Sequence, residues 1–218
     1  MTEVVIASAC RTPTGKFQGT LSSFTAPQLG AHVAKEAIAR AGIRPEDVDE
    51  TIMGNVLSCG LGQAPARQVS RAAGIPDSTS ALTINKVCGS GLKAVMLAAQ
   101  AIKCGDSQIV VAGGMESMTN APYYVPKARG GMRLGNAEII DSMVHDGLWD
   151  PYYDMDMGMT GEAVCAEYDV TREQQDEYAA RSHARAVAAQ QAGAFADEIA
   201  VLEIKPRKGD PWSFDTDE

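Results

Sequence analysis

The sequence predicts an α/β fold in which βα repeats form a mainly parallel, mixed sheet covered by helices, with a helical excursion inserted after it. Three observations carry this prediction. Short apolar, β-branched runs alternate with helical patterns as far as Met118. The first two helical patterns open on a proline and close on a glycine. After Met118 the period is lost, in a stretch rich in proline, glycine and aromatic residues.

Taken in order, "VVIASA" (residues 4–9) reads as a first strand. The turn-rich "RTPTGKFQG" leads to the helix "PQLGAHVAKEAIARAG", with Pro27 in its first turn and Gly42 as its stop. "ETIMGNVL" (residues 50–57) is a second strand, followed by a glycine-rich loop and the helix "PARQVSRAAG". "ALTINKV" is a third strand. The helix after Cys88 places Leu92, Val95, Met96, Ala99 and Ile102 at helical spacing, and "SQIVVAGG" is a fourth strand.

Beyond the aperiodic stretch, two more helices are predicted, from Met159 to about Tyr168 and from Thr171 to about Gln191. The second has Thr171 and Gln174 in capping-box positions and a stop near Gly193. The tail reads as a strand, a basic turn and a further extended segment. This divides the chain into an α/β domain over 1–119 and a loop domain over 120–218.

With 218 residues the chain is long enough to bury a core without disulfide or metal staples, and no metal is expected. Apolar residues make up 45% and charged residues 22%, the balance of a soluble globular protein. A net charge of −9 works against nucleic acid and anionic membrane surfaces, so neither is expected as a partner. Five cysteines, odd in number and without a C-x-x-C, point away from a disulfide framework or zinc site and toward a reducing, cytoplasmic compartment. The first residues lack the basic start and apolar middle of a signal peptide. No uninterrupted apolar run reaches the ~18–20 residues of a membrane span.

One cysteine stands apart. Cys10, Cys59, Cys104 and Cys165 read as small hydrophobes. Cys88, in "NKVCGSGLKAV", falls between a predicted strand and a predicted helix, with Gly89 and Gly91 allowing unusual backbone conformations and close approach. This is the logic of a nucleophile elbow. An ordinary thiol is about 3% ionised at pH 7, and half ionisation takes ~2 kcal/mol. A helix N-terminus supplies ~0.3–1 kcal/mol, so a basic partner is wanted. The three histidines do not offer one: His32 and His183 read as solvated helix residues and His145 lies in the aperiodic stretch.

The segments "NKVCGSGLKAV", "AGGMESMTNAPY", "ACRTPTGKFQG", "GQAPARQ" and "GLWDPYYDMDMGMTGEAV" together resemble the thiolase family, in particular its acetyl-CoA acetyltransferases. The resemblance runs over essentially the whole chain, which corresponds to little more than the first half of a typical member. It implies a thiolase-like fold whose C-terminal half is absent, and a loop domain that receives coenzyme A. It also implies Claisen condensation of two acetyl-CoA to acetoacetyl-CoA and CoA, or the reverse thiolysis, with Cys88 as the residue acylated. Coenzyme A would be substrate and product rather than a bound cofactor.

The family's Gly-His-Pro histidine, its Cys-x-Gly-Gly cysteine and its asparagine-histidine motif do not occur in this sequence. A truncated chain is therefore expected, and one alternative is that it is catalytically inactive alone, a folded half or assembly module. Another is a degradative 3-ketoacyl-CoA thiolase for longer chains, because Asp156 stands where family members carry a pantetheine-facing histidine. The resemblance makes Arg207, in the basic turn with Lys205 and Lys208, a nucleotide contact and Met157 an apolar wall beside substrate; a core methionine is the other reading of Met157. It also implies a homodimer or homotetramer, with "GQAPARQVSRAAG" near the dimer interface. Glu116 and Ser117, just past a strand end, read equally as site residues or as a turn-stabilising carboxylate with its neighbour.

Overall fold

The computed structural model describes residues 3–206 and 208–218. At its centre are three parallel strands, β1 (Glu50–Gly54), β2 (Ser80–Ile84) and β3 (Val110–Gly114), in the order β2-β1-β3. Glu50 pairs with Ser80 on one side and Val110 on the other, and Gly54 with Ile84 and Gly114. Helix α1 (Ala26–Ala41) precedes the sheet, α2 (Pro65–Ala72) links β1 to β2, and α3 (Ser90–Cys104) links β2 to β3.

Side-chain alternation along β1 builds the layers. Met53 faces one core, formed with Ala26, Ala34 and Ile38 of α1 and Ala66 and Val69 of α2. Its neighbour Ile52 faces the other, against Ala94 and Ala98 of α3. Both side chains are almost fully buried, each contributing about 1.5–3 kcal/mol. With α2 and α3 on opposite faces and β1 flanked on both sides, the strand order reverses between β1 and β3, the crevice where open α/β sheets usually take a ligand.

The helix ends follow the local signals. Thr25 and Gln28 close a capping box at the start of α1, and Gly42 ends it with φ +67°. The three-residue reach between Thr171 and Gln174 does the same for α5 (Arg172–Gln191), with Gln174 Oε1 accepting from Thr171 N at 2.9 Å. Gly193 follows with φ +72°. Helix α4 (Met157–Glu167) is N-capped by Asp156, which accepts from Met159 N at 2.9 Å.

Five expectations change. Residues 3–10 form no strand, and Val5 and Ile6 are exposed: apolar, β-branched composition without a hydrogen-bonded neighbour is not sufficient for a strand. Among the described residues the main sheet is wholly parallel, and antiparallel pairing is confined to two-stranded hairpins. The aperiodic stretch is not structureless. It holds the hairpins β4–β5 (Tyr123–Tyr124 with Ile140–Asp141) and β6–β7 (Trp149–Asp150 with Met155–Asp156), with a π-turn, Val144–Leu148, between them. None of the cysteines read as buried hydrophobes is buried, and Cys104 is exposed.

The fifth change concerns α3. Its spacing picks out Leu92, Val95 and Met96, yet these are exposed, and the sheet is met by Ser90, Ala94 and Ala98. Small residues are required there because the helix approaches the strands closely. The window Val87–Cys104 has mean hydropathy 1.2, long and apolar enough by composition to cross a membrane, although Lys93, Gln100 and Lys103 interrupt it. In the fold one face of that helix is packed on β1 and β3.

The tail is a hairpin, β8 (Leu202–Ile204) with β9 (Trp212–Phe214), whose Leu202, Ile204 and Phe214 pack on Leu29 of α1. Beyond it, Asp217 takes Arg11 at 2.6 and 2.9 Å, and the Glu218 side chain accepts from Lys16 N and Thr20 N. The last residues thereby clamp the loop that precedes α1.

Candidate active site

The Cys88 turn is built from the end of β2 and the start of α3. β2 stops at Ile84 and α3 starts at Ser90, leaving five residues to reverse direction at the C-terminal edge of the sheet. Cys88 is exposed, one residue before the N-cap Gly89, so negative charge on its sulfur or on an oxygen bound nearby meets the positive end of a 15-residue helix.

The sharpness of the turn is stored in Val87, at φ +47°. A β-branched residue in the left-handed region is an outlier, with a cost of ~1–2 kcal/mol. The glycines expected to take up that conformation do not: Gly89 has φ −88°, and Gly91 lies within the helix. Gly91 instead serves close approach. A Cβ on Gly114 would come 3.1 Å from Gly91 Cα, and one on Gly54 would lie 2.5 Å from the Ser90 carbonyl carbon and 2.7 Å from Gly91 N. Three glycines from β1, β3 and α3 form a seam that seats the helix start directly on the strand ends.

Strain of this kind persists only where the surroundings hold it. Ser90, 5% exposed, accepts from Lys86 N at 2.8 Å and donates from Oγ to Val87 O at 2.6 Å. Asn85 Oδ1 accepts from Val87 N at 2.9 Å. Backbone bonds from Gly89 N to Lys86 O and from Ser90 N to Val87 O complete the brace. Neither Ser90 nor Asn85 was marked by sequence reasoning. The signal was available in a serine set between two glycines after the cysteine, which can bond back over the turn.

Next to this turn, Glu116 resolves as a loop-binding carboxylate. Its oxygens accept from Asn55 Nδ2 at 2.7 Å, Val56 N at 2.9 Å and Leu57 N at 3.0 Å. Burial pushes its carboxyl up from the usual range, and the two backbone N–H groups pull it back. Ser117 Oγ donates to Phe24 O, tying this loop to the approach of α1.

The other expected residues stand apart. Met157 is the first residue of α4, immediately after the β6–β7 hairpin, and at 38% exposed it is not a core methionine. Asp156 spends one oxygen on its helix cap. Arg207 lies outside the described residues; its neighbour in the basic turn, Lys205, is within 3.7 Å of Glu203. The histidines are elsewhere too: His32, part-buried rather than solvated, lies 3.3 Å from Ala200 O, His145 is beside Asp146 at 3.1 Å, and His183 is exposed on α5. Among the described residues, then, the Cys88 turn is formed and no basic side chain is hydrogen-bonded to Cys88.

Comparison with known proteins agrees with this architecture. Residues 4–218 match the family described as "Thiolase, N-terminal domain". The chain is 57% identical over its full length to an acetyl-CoA acetyltransferase of Cupriavidus necator and 51% identical to one of Pseudomonas aeruginosa. It spans 56% of the length of each. Among solved structures, a thiolase from Ascaris suum in complex with coenzyme A matches with a TM-score of 0.89 and 46% identity, over 92% of this chain and 52% of that one. A strained cysteine turn between parallel strand and helix, a glycine seam beneath it and a match that runs along nearly the entire sequence lead to one conclusion: this chain belongs to the thiolase family, as its N-terminal domain.

Proposed function

We propose that the protein containing this chain is an acetyl-CoA acetyltransferase with Cys88 as its acyl acceptor. Cys88 Sγ attacks the thioester carbonyl of one acetyl-CoA, forming an acetyl-cysteine and releasing CoA. The C2 carbanion of a second acetyl-CoA, once its proton is removed, attacks that acetyl group, giving acetoacetyl-CoA and free Cys88; thiolysis is the reverse. The observation that carries the reading is the exposed Cys88 on a braced, strained turn at the positive end of α3. The names of the relatives in Cupriavidus necator and Pseudomonas aeruginosa, and the coenzyme A in the Ascaris suum structure, support the substrate class. Met157 and Arg207 are proposed as coenzyme A contacts on the same ground, and a homo-oligomeric assembly goes with the same reading.

The test is acetyl-CoA incubation of a protein carrying this chain together with the family's Gly-His-Pro and Cys-x-Gly-Gly motifs, followed by peptide mass mapping. One acetyl group on the Cys88 peptide, absent in Cys88→Ser, is expected; normal thiolysis by Cys88→Ser would overturn the assignment. For the 218-residue chain alone a second reading is that it is catalytically silent, because its sequence lacks the Gly-His-Pro and Cys-x-Gly-Gly motifs and, among the described residues, no histidine is hydrogen-bonded to Cys88. Turnover by a chain of verified mass would overturn that one.

A further inference from the structure

Glu116 occupies an unusual place for a carboxylate. The loops that follow β1 and β3 flank the point where strand order reverses, and in open α/β sheets that crevice ordinarily admits a ligand. Here it is bridged from within: Glu116, just past the end of β3, reaches across and binds three donors on the loop after β1. The contact does not stop at that loop. Asn55, which gives Glu116 its side-chain amide, is 2% exposed, and its backbone N–H donates to Ile84 O at 3.0 Å. Its amide also reaches Met115 O at 3.3 Å, while Met115 N donates to Gly54 O at 3.0 Å.

Ile84 is the last residue of β2. The next residue, Asn85, holds Val87 N, and Val87 precedes Cys88. A continuous set of bonds therefore runs from Glu116 through Asn55 to the root of the Cys88 turn. The ends of all three strands are involved, and the turn's far side is pressed on Gly54 and Gly114. Asn55 Oδ1 is buried with no partner among the described residues. A buried amide with one unsatisfied oxygen holds its orientation only if its other contacts outweigh that loss, and the charge-assisted bond to Glu116 is the shortest of them.

We infer that Glu116, acting through Asn55, is a positioning residue for Cys88: it locks the ends of β1 and β3 against the end of β2 from which the Cys88 turn springs. This deepens the acyl-acceptor reading above and rests on it for its functional meaning. It assigns Glu116 no contact with substrate. Glu116 thereby bridges the loops at the strand reversal, and the Cys88 turn lies one strand over, between β2 and α3.

The test reads geometry at Cys88 without requiring turnover. In the 218-residue chain, iodoacetamide alkylation of Cys88 is followed by peptide mass spectrometry and divided by the rate at Cys104, exposed at the other end of the same helix. General loosening of α3 alters both cysteines and cancels in the ratio. In Glu116→Gln, one donor on the loop faces an amide NH2 instead of an oxygen. The Cys88:Cys104 ratio is expected to fall by about two- to fivefold, the range of a helix-end interaction lost when the sulfur leaves its place. Glu116→Asp, which keeps the charge but withdraws it by one methylene, is expected to move the ratio in the same direction and serves if Glu116→Gln does not fold. Asp217→Asn, which loosens the distant clamp on Arg11, is expected to leave it unchanged. An unchanged ratio in a folded Glu116 variant, or an equal fall in Asp217→Asn, overturns the inference. Failure of a protein that carries this chain together with the Gly-His-Pro and Cys-x-Gly-Gly motifs to take up an acetyl group on Cys88 would instead count against the acyl-acceptor reading and leave this ratio unaffected.

Discussion

Placing a methyl group on Gly54 probes the joint between sheet and Cys88 turn directly. A Cβ there would lie 2.5 Å from the Ser90 carbonyl carbon and 2.7 Å from both Gly91 N and Ser90 Cβ. Ordinary contact begins near 3.4 Å, so the start of α3 must move away by about 0.9 Å, the difference between 3.4 and 2.5 Å. The obstructing atoms are chiefly backbone, which cannot rotate aside. Overpacking of this kind costs about 1–3 kcal/mol, and at ~2–4 °C per kcal/mol for a chain of this size Gly54→Ala should melt about 2–12 °C lower. Because Cys88 precedes that helix start, its alkylation relative to Cys104 should change as well. Gly42→Ala separates displacement from simple destabilisation. Gly42 sits at φ +67° with nothing within 4 Å, so alanine there costs ~1–2 kcal/mol in backbone strain without pushing on any neighbour. Thermal unfolding and the Cys88:Cys104 ratio are measured on both variants. The reasoning is refuted if Gly54→Ala melts with the parent, or if Gly42→Ala shifts the ratio equally.

Two more predictions follow from the same geometry. Val87→Gly removes the left-handed strain of ~1–2 kcal/mol and costs ~0.5–1 kcal/mol of chain entropy, so stability in urea should hold or rise by up to about 1.5 kcal/mol; a clear loss means the turn is not strained. Asp217 is held below the usual carboxylate range, first by its bonds to Arg11 and then by Thr14 N. A depressed folded-state pKa contributes stability that is present above the unfolded value near 4 and is lost as pH falls below it. Asp217→Asn should therefore unfold more easily at pH 7, by about 1 kcal/mol for a partly exposed pair, and approach the parent in acid; a gap independent of pH contradicts the assignment.

Several elements were legible because their signals are local. Thr171 with Gln174 at one end and Gly193 at the other bounded α5, and Pro27 with Gly42 bounded α1, since caps and stops are made by residues within a few positions of the helix they serve. The position of Cys88 between strand and helix was equally plain. Residues 4–9 misled because composition says that a segment can extend, whereas a strand needs a partner in space. Helix α3 misled in a different way. Its larger residues mark the more apolar face, yet the sheet selects Ser90, Ala94 and Ala98, since only small side chains fit where Gly54 and Gly114 bring the backbones together.

By itself, then, the sequence determined the α/β class, most helix boundaries, the thiolase resemblance and the place of Cys88 between strand and helix. Tertiary structure alone decided which residue bears the strain of the turn, Val87 rather than a glycine. It also decided what holds that strain: Ser90 and Asn85 within the turn, and Glu116 through Asn55 from outside it. The reason is distance along the chain. Asn55 and Glu116 are 61 residues apart, and Gly54 meets Ser90 only when parallel strands align their ends. No periodicity or motif encodes a contact that exists only once β1, β2 and β3 have come into register.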